Sequence, residues 1–310
     1  MRAGQWGGDG YSEAAAVAGQ KRTAMRSAKR TAMRTATEAR RPAPPPSTAV
    51  LLRAFLTGLQ ERVPLRALWA HGSLAGGDYQ EGRSDLDLIA VLARPATPQE
   101  ERRLAELHRG LAATGGPPAR ALHCAYPDRT APDDPAHPHL AWAHDELTHR
   151  PLTPVTRREL HSFGLVLYGD GPAALLPPVT DAQLTAFVLA DLRGFWRPAL
   201  EHPEYWLRDI WVDLGLLTLA RATVTLRNGT LISKGHALPV LAGLGAPVQV
   251  LADIRHRRYG PPASSPAPAA AATAGAPEAH RADWPARRAE LTRAFLGPAI
   301  DRTLAAYGNG

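Results

Sequence analysis

The stretch "HGSLAGGDYQEGRSDLDLIAVL" (residues 71–92) decides the fold. Its second half, "DLDLIAVL", has the length and the apolar content of a buried strand. Side chains two positions apart project from the same face of a strand, so Asp85 and Asp87 point the same way while Leu86 and Leu88 point into the core. A glycine-rich loop and the dipeptide "GS" precede this strand. A buried strand that begins with two carboxylates on one face needs an explanation.

Carboxylates this close repel each other and raise each other's pKa unless a cation lies between them. A divalent metal removes the repulsion, and oxygen-only ligands suit Mg²⁺. Small residues at Gly72 and Ser73 allow backbone N–H groups and a hydroxyl to approach phosphate oxygens. The pattern therefore indicates phosphoryl or nucleotidyl transfer, although an isolated Asp-x-Asp pair also occurs on surface strands without a function.

Composition excludes several other classes of protein. The 310 residues carry a formal charge of +7, but residues 1–46 contain nine Lys or Arg and three Asp or Glu. The remaining 264 residues are thus nearly neutral, and no nucleic-acid partner is expected. A single cysteine, Cys124, fits a reducing cytoplasm. No apolar run approaches the roughly 20 residues of a membrane span, so no membrane partner is expected.

Residues 1–46 are predicted to be a disordered basic extension. The near repeat "KRTAMRSA" and "KRTAMRTA" at 21–36 is followed by "ARRPAPPPST", and few large apolar residues are available for a core. An Arg-rich, acid-poor segment is also typical of a transit peptide. Translation from Met25 or Met33 would leave part of it unmade.

Two patterns divide the rest of the chain. Residues 47–175 alternate between helical and strand patterns, whereas residues 176–310 are dominated by the helical period. A Pro/Ala-rich loop at 260–279 interrupts the helical part. The predicted helices cover 47–63 (capped by Ser47 or Thr48), 97–114 (with Thr97 and Glu100 as a capping box) and the first part of 153–170, and the predicted strands cover 65–72, 85–93, 119–126 and the end of 153–170.

Two segments carry a resemblance to a known family. "GSLAGGDYQEGRSDLDL" resembles the G-S…S-D-x-D signature of the nucleotidyltransferase superfamily that includes DNA polymerase β. "LYGDGP" (167–172) and "LLTLARATVTLRNGTLISKGHA" (216–237) resemble the streptomycin/spectinomycin-type aminoglycoside adenylyltransferases. The likeness runs over about residues 48–310. It implies an α+β fold, in which a polymerase β-like mixed-sheet domain is followed by a C-terminal helical bundle.

The resemblance also implies roles for individual residues. Lys234 has independent support, because it is the only lysine outside residues 1–46 in a chain with 33 arginines, and a compact ammonium suits a phosphate. An exposed surface lysine is the alternative. The implied roles are Mg²⁺ binding by Asp85 and Asp87, and binding of the ATP triphosphate by Gly72, Ser73, Ser84, Arg221 and Lys234.

One departure from the family concerns the catalytic base. The family places a third carboxylate on the next strand, where this chain reads "RALHCAY" and has His123 at the matching position. A neutral imidazole can act as a general base near pH 7 but is a poorer Mg²⁺ ligand. His123 is thus the candidate base, with Asp128 as an alternative and a histidine that merely packs as a third possibility.

The acceptor site is expected in "EYWLRDIWVDLGLL" (204–217). Like charges at i and i+4 of a helix cost a few tenths of a kcal/mol, which a ligand would explain. Acidic residues beside tryptophans suit a cationic amino sugar. The alternative is that the acids pair with Arg208 or Arg221. The candidate substrate residues are Trp206, Asp209, Trp211 and Asp213.

Together these observations predict a monomeric, cytoplasmic, Mg²⁺-dependent nucleotidyltransferase. It would move AMP from ATP to a hydroxyl of an aminoglycoside-like molecule and release pyrophosphate. One alternative is an antitoxin-type enzyme that adds AMP to a protein, although the "GSLAGG" loop and the large helical part argue against it. The other is a catalytically weak nucleotide-binding homologue, which His123 would explain.

Overall fold

A computed structural model of the chain describes residues 43–128, 134, 136–261 and 283–308. Residues 86–92 of the segment 71–92 form a central strand of a mixed six-stranded sheet. The strand order is β5-β4-β3-β2-β1-β6. β2 and β3 are parallel, and the other neighbours are antiparallel. The strands are β1 (Leu65–Ala70), β2 (Leu86–Leu92), β3 (Leu122–Tyr126), β4 (Pro138–Ala143), β5 (Glu146–Pro151) and β6 (Leu165–Gly169).

Helices surround this sheet and then make up the rest of the chain. Those of the sheet region are α1 (Pro46–Gln60), α2 (Gly72–Ala75), α3 (Pro98–Thr114), α4 (Gly116–Arg120), α5 (Pro154–Phe163) and α6 (Pro172–Leu175). The helical region contains α7 (Asp181–Asp191), a π-helical turn (Leu192–Trp196), α8 (Arg197–Ala199), a 3₁₀ turn (Pro203–Leu207), α9 (Asp209–Asn228), α10 (Lys234–Gly243), α11 (Val248–Tyr259) and α12 (Trp284–Tyr307). No helix of the described residues is long and apolar enough to cross a membrane.

Separate hydrophobic cores support the two regions. One face of the sheet packs against α1 and α3 around Phe55, Leu59 and Leu104, which are fully buried. The other face carries a smaller cluster that includes Trp69 and Leu160. The helical region has its own core, which extends from Val179 to Ile300. The domain boundary predicted at residue 175 stays a prediction, and Leu176 still packs in the cluster on the sheet.

The predicted α+β fold with a C-terminal helical region is confirmed, and the differences are local. The third strand begins at Leu122 instead of 119, because Gly116–Arg120 forms a short helix. The β4–β5 hairpin was missed, and its turn has positive φ at His144 and Asp145. Residues 1–42 and 262–282 lie outside the described residues, and with them most of the predicted extension and of the Pro/Ala-rich loop.

The two predicted helix starts have opposite outcomes. Thr97 and Glu100 form the predicted capping box at the start of α3. The prediction that Ser47 or Thr48 caps the first helix is wrong, because α1 begins one residue earlier with Pro45 at the N-cap. Both hydroxyls instead donate to Glu81 of the glycine-rich loop. These contacts fix the loop against α1.

Candidate active site

The two aspartates of the motif lie at the N-terminal end of β2. Asp85 is exposed immediately before the strand, and Asp87 is half-buried on its second residue. Burial raises the pKa of Asp87 and the charge of Asp85 raises it further, whereas His71 and His123 oppose the shift. A cation beside the pair would relieve this repulsion.

The carboxylates of Asp85 and Asp87 are ligands that suit a hard divalent cation. No group of three or more His, Cys, Asp or Glu side chains in the described residues is arranged to hold a metal. Mg²⁺ commonly uses one or two carboxylates and completes its shell with water and substrate phosphates. Asp85 and Asp87 match that mode of binding.

Gly72 is required by the close approach of the chain to Asp87. Its φ is +59°, and a Cβ there would lie 2.4 Å from Oδ2 of Asp87. An L-residue would be strained by that backbone conformation and would displace the carboxylate. The "G" of the "GS" motif thus holds the turn after β1 against the metal-binding candidate.

His123 lies directly beside Asp87. The two residues are register partners in the parallel β2–β3 pair, and the His123 ring lies 5.0 Å from that of His144 in the β4–β5 turn. Asp128, the alternative base, follows the opposite end of β3. At about 3.3 Å per residue it is roughly 16 Å along the strand direction from His123, so it is too distant to serve the same site.

The two serines of the motif stabilise the loop. Ser84 is buried, and its hydroxyl accepts a hydrogen bond from the backbone N–H of Gln80 at 3.1 Å. Ser73 donates to the backbone carbonyl of Asp85 at 3.5 Å. Their predicted roles in triphosphate binding stay predictions, because in this structure both hydroxyls are directed to the backbone of the loop.

Glu159 of α5 connects the sheet region to the helical region, and sequence reasoning missed it. Its side chain is 8% exposed. It accepts hydrogen bonds from Nδ1 of His71 at 3.1 Å, from the backbone N–H of Gly72 at 3.3 Å and from Arg221 at 2.8 Å. Burial alone would raise the pKa of Glu159, but His71 and Arg221 outweigh it and the pKa is lowered.

The hydrogen bonds of Arg221 differ from its predicted role in triphosphate binding. Its guanidinium donates to Glu159 and to the backbone carbonyl of Ile232. Arg221 is therefore engaged in positioning the turn at Gly72 and the segment before α10. Its predicted contact with the triphosphate would compete with these bonds.

Lys234 is the first residue of α10, which Ser233 caps by accepting from the N–H of His236. Burial and the nearby Arg258 lower the pKa of Lys234, while Asp85 and Asp87 raise it. The ammonium is thus within electrostatic reach of both aspartates. It forms no ion pair or hydrogen bond within the part of the chain that the structure describes.

Asp78 of the glycine-rich loop joins the loop to the helical region. Its carboxylate accepts from the backbone N–H of Gly235 at 2.9 Å and from the hydroxyl of Tyr259 at 3.0 Å. Arg83 of the same loop donates to the carbonyl of Pro261. These contacts bring the start of α10 and the end of α11 against the loop that carries the motif.

The predicted acceptor residues are less accessible than expected. Trp206 is 0% exposed, and its indole N–H donates to the carbonyl of Ala199, so it is a core residue and cannot stack on a ligand. Asp213 pairs with Arg257, and Asp209 pairs with Arg288. The acids therefore do pair with arginines, but with those of α11 and α12 instead of Arg208 or Arg221.

Trp211 remains partly exposed in a group of stacked aromatic rings. Its ring lies 4.4 Å from that of Tyr205 and 5.8 Å from that of Phe195, measured between centroids. Phe195 belongs to the π-helical turn and is half exposed. Of the four predicted acceptor residues, Trp211 is thus the one with an accessible aromatic ring. Trp206 is buried, and the two aspartates are engaged in ion pairs.

Comparisons with known proteins address the same region. Residues 52–114, which include both aspartates, match the family described as Nucleotidyltransferase domain. The crystal structure of spectinomycin adenyltransferase AAD(9) from Enterococcus faecialis with ATP and spectinomycin is similar, with a TM-score of 0.57 and 15% identity. The match covers 82% of this chain and 98% of that chain. No curated protein matches the chain in sequence.

At 15% identity the structural likeness shows the fold alone. The domain match covers the segment that contains Gly72, Asp85 and Asp87. Residues 52–114 therefore match a nucleotidyltransferase domain, and the overall fold of the chain is similar to that of a spectinomycin adenyltransferase.

Proposed function

We propose that the protein transfers AMP from ATP to a hydroxyl of a small molecule and releases pyrophosphate. One observation carries the proposal: Asp78 holds the start of α10, where the unpaired Lys234 lies, against the loop that leads to Asp85 and Asp87. Carboxylates for a metal and a cation for phosphate are the components that such a transfer requires. All come from one chain, so the proposed site needs no second copy.

Asp85 and Asp87 would hold Mg²⁺, and Gly72 keeps the backbone close to Asp87. When bound, the metal would offset phosphate charge and polarise the reacting phosphoryl group. Lys234 binds the triphosphate and neutralises charge that develops on the leaving pyrophosphate. Lys234 is the only lysine outside residues 1–46 in a chain with 33 arginines, which is consistent with a specific contact to phosphate.

His123 acts as the general base in this proposal. The acceptor hydroxyl gives its proton to a ring nitrogen of His123 as its oxygen forms a bond to the α-phosphorus. The bond between that phosphorus and the bridging oxygen breaks, and pyrophosphate leaves with the electron pair. The register pairing of His123 with Asp87 supports this role.

The acceptor is proposed to be an aminoglycoside-like molecule. The fold neighbour was crystallised with ATP and spectinomycin, which supports a nucleotide and an antibiotic of that class. Asp209 and Asp213 are neutralised by arginines, so recognition of an amino group by them would require exchange of those ion pairs. Trp211 offers an aromatic face without that cost.

A nucleotide-binding protein without transfer activity is the second candidate, and His123 in place of a carboxylate favours it. The two candidates differ in one measurement, which is pyrophosphate release with ATP and Mg²⁺ over a panel of aminoglycosides. Acceptor-dependent release is expected for the transferase. ATP binding without release for any acceptor would favour the second candidate.

A matched pair of variants tests the site itself. Asp87→Asn is expected to reduce pyrophosphate release by about a hundredfold or more, because the metal would lose one of its two proposed carboxylate ligands and no longer hold the phosphates in the reactive position. Asp145→Asn, in the exposed β4–β5 turn, is the control and should keep wild-type activity. Full activity of Asp87→Asn would refute the proposed metal site.

A further inference from the structure

Arg258 is a buried cation without a full set of partners. Its exposed fraction is 9%, and both Nε and Nη2 are buried without a hydrogen-bond acceptor among the described residues. Buried guanidinium groups are normally paired, because an uncompensated buried charge is strongly destabilising. Nε of Arg288 is also buried without an acceptor, but its other two guanidinium nitrogens reach Asp209, Asp253 and the carbonyl of Leu207.

Arg258 lies beside the proposed triphosphate site. It occupies the last turn of α11 next to Tyr259, whose hydroxyl donates to Asp78 of the glycine-rich loop. A Cβ on Gly235 would lie 2.9 Å from that hydroxyl oxygen, so the end of α11 touches the start of α10. The charge of Arg258 acts on Lys234, which also senses Asp85 and Asp87.

Two explanations that involve no ligand account for only part of the burial of Arg258. A cation in the last turn interacts favourably with the helix dipole, and the guanidinium carbon lies 5.7 Å from the centroid of the Tyr259 ring. The carboxylate of Asp213 also acts on the charge of Arg258, and the Tyr259 hydroxyl interacts with its guanidinium, yet neither Nε nor Nη2 has a hydrogen-bond acceptor among the described residues. An anion would supply the acceptors that these two nitrogens lack.

We propose that Arg258 binds the triphosphate of the nucleotide together with Lys234. Phosphate oxygens accept the parallel hydrogen bonds that a guanidinium fork offers. Arg221, the arginine that the sequence favoured for this role, uses its fork on Glu159 and Ile232. The inference rests on the proposed function, since it presupposes that a nucleotide binds here.

The test compares Arg258→Gln with Arg255→Gln by calorimetric titration of ATP in the presence of Mg²⁺. Arg255 is exposed on the same helix and controls for the loss of one positive charge. Arg258→Gln is expected to raise the Kd for ATP at least about tenfold, the effect of a lost charge-assisted contact. The affinity for inorganic triphosphate, measured by competition, should fall by a similar factor, and Arg255→Gln should resemble wild type.

The melting temperature without ligand separates phosphate binding from a structural role. Removal of an unpaired buried charge should leave it unchanged or raise it, so a large fall or a failure to fold in Arg258→Gln would overturn the proposal. Arg258→Lys keeps the charge without the fork and should bind ATP with intermediate affinity; binding no tighter than that of Arg258→Gln would also contradict the proposal.

The result for wild type distinguishes this inference from the proposed function. Wild-type protein that binds no ATP would refute the proposed function and the inference together. Wild-type protein that binds ATP, with an unchanged Kd in Arg258→Gln, would overturn the inference alone.

Discussion

Replacement of Glu159 with glutamine should destabilise the protein and disturb the site at the same time. The side chain is almost fully buried between His71, the backbone of Gly72 and Arg221. Glutamine has nearly the same shape, but it carries no charge. The change therefore removes the electrostatic part of the link between the sheet and the helical region and leaves the packing in place.

The structure sets the size of the effect. Loss of one partner from a buried ion pair costs about 3–5 kcal/mol. The lower end applies here, because Arg221 is 28% exposed and also donates to Ile232, and the glutamine oxygen still accepts one hydrogen bond. A loss of about 3 kcal/mol in the free energy of unfolding is expected at pH 7, with ATP affinity reduced as Gly72 loses its acceptor.

Urea unfolding, followed by tryptophan fluorescence, measures this loss. Because the pKa of Glu159 is lowered in the folded protein, its contribution is present above the unfolded pKa of about 4.3 and disappears as the pH falls through the folded value. The difference between wild type and Glu159→Gln should therefore shrink in acid. Glu106→Gln, exposed on α3, is the control. A difference below about 0.5 kcal/mol at pH 7 would refute the reasoning.

Three further changes test separate contacts. Gly72→Ala should lower kcat at least about tenfold and stability by about 1–2 kcal/mol, since its Cβ would displace the carboxylate of Asp87; normal turnover would contradict the tight approach. Asp78→Ala should cost about 1–2 kcal/mol in urea unfolding, because the N–H at the start of α10 loses its acceptor; an unchanged midpoint would show that this link is unimportant. Glu100→Gln should cost about 0.5–1 kcal/mol at pH 7. Arg94 and a backbone N–H lower the pKa of Glu100 from 4.5 to about 2, so that difference should disappear as the pH falls from about 4.5 to about 2; a constant difference would refute it.

Features encoded by short spacings could be predicted from the sequence. The two-residue period of a strand predicted Asp85 and Asp87 on one face. Gly72 was predicted to let the backbone approach phosphate, and its close approach to Asp87 was not predicted. The capping box at Thr97 is likewise a local pattern, and the structure contains it. The N-cap predicted at Ser47 or Thr48 failed because α1 begins at Pro46, and both hydroxyls donate to the distant Glu81.

Contacts between distant segments could not be predicted. Periodicity shows that Asp209 and Asp213 share a helical face, but not that Arg257 and Arg288 cover that face. The burial of Trp206 could not be predicted either, because it depends on the packing of α9 and α12 around this residue. Glu159 carries no local signal at all, because its partners come from two segments of the chain, at residues 71–72 and 221, that are both far from it in sequence.

The most direct test of the central claim follows the α-phosphorus. Wild-type protein is incubated with Mg²⁺, an aminoglycoside panel and ATP labelled at either the α- or the γ-phosphorus. The account predicts that at least one acceptor gains the α-label, that none gains the γ-label, and that Asp87→Asn transfers neither. Transfer of the γ-label, or equal α-transfer by Asp87→Asn, would contradict nucleotidyl transfer at the pair formed by Asp85 and Asp87.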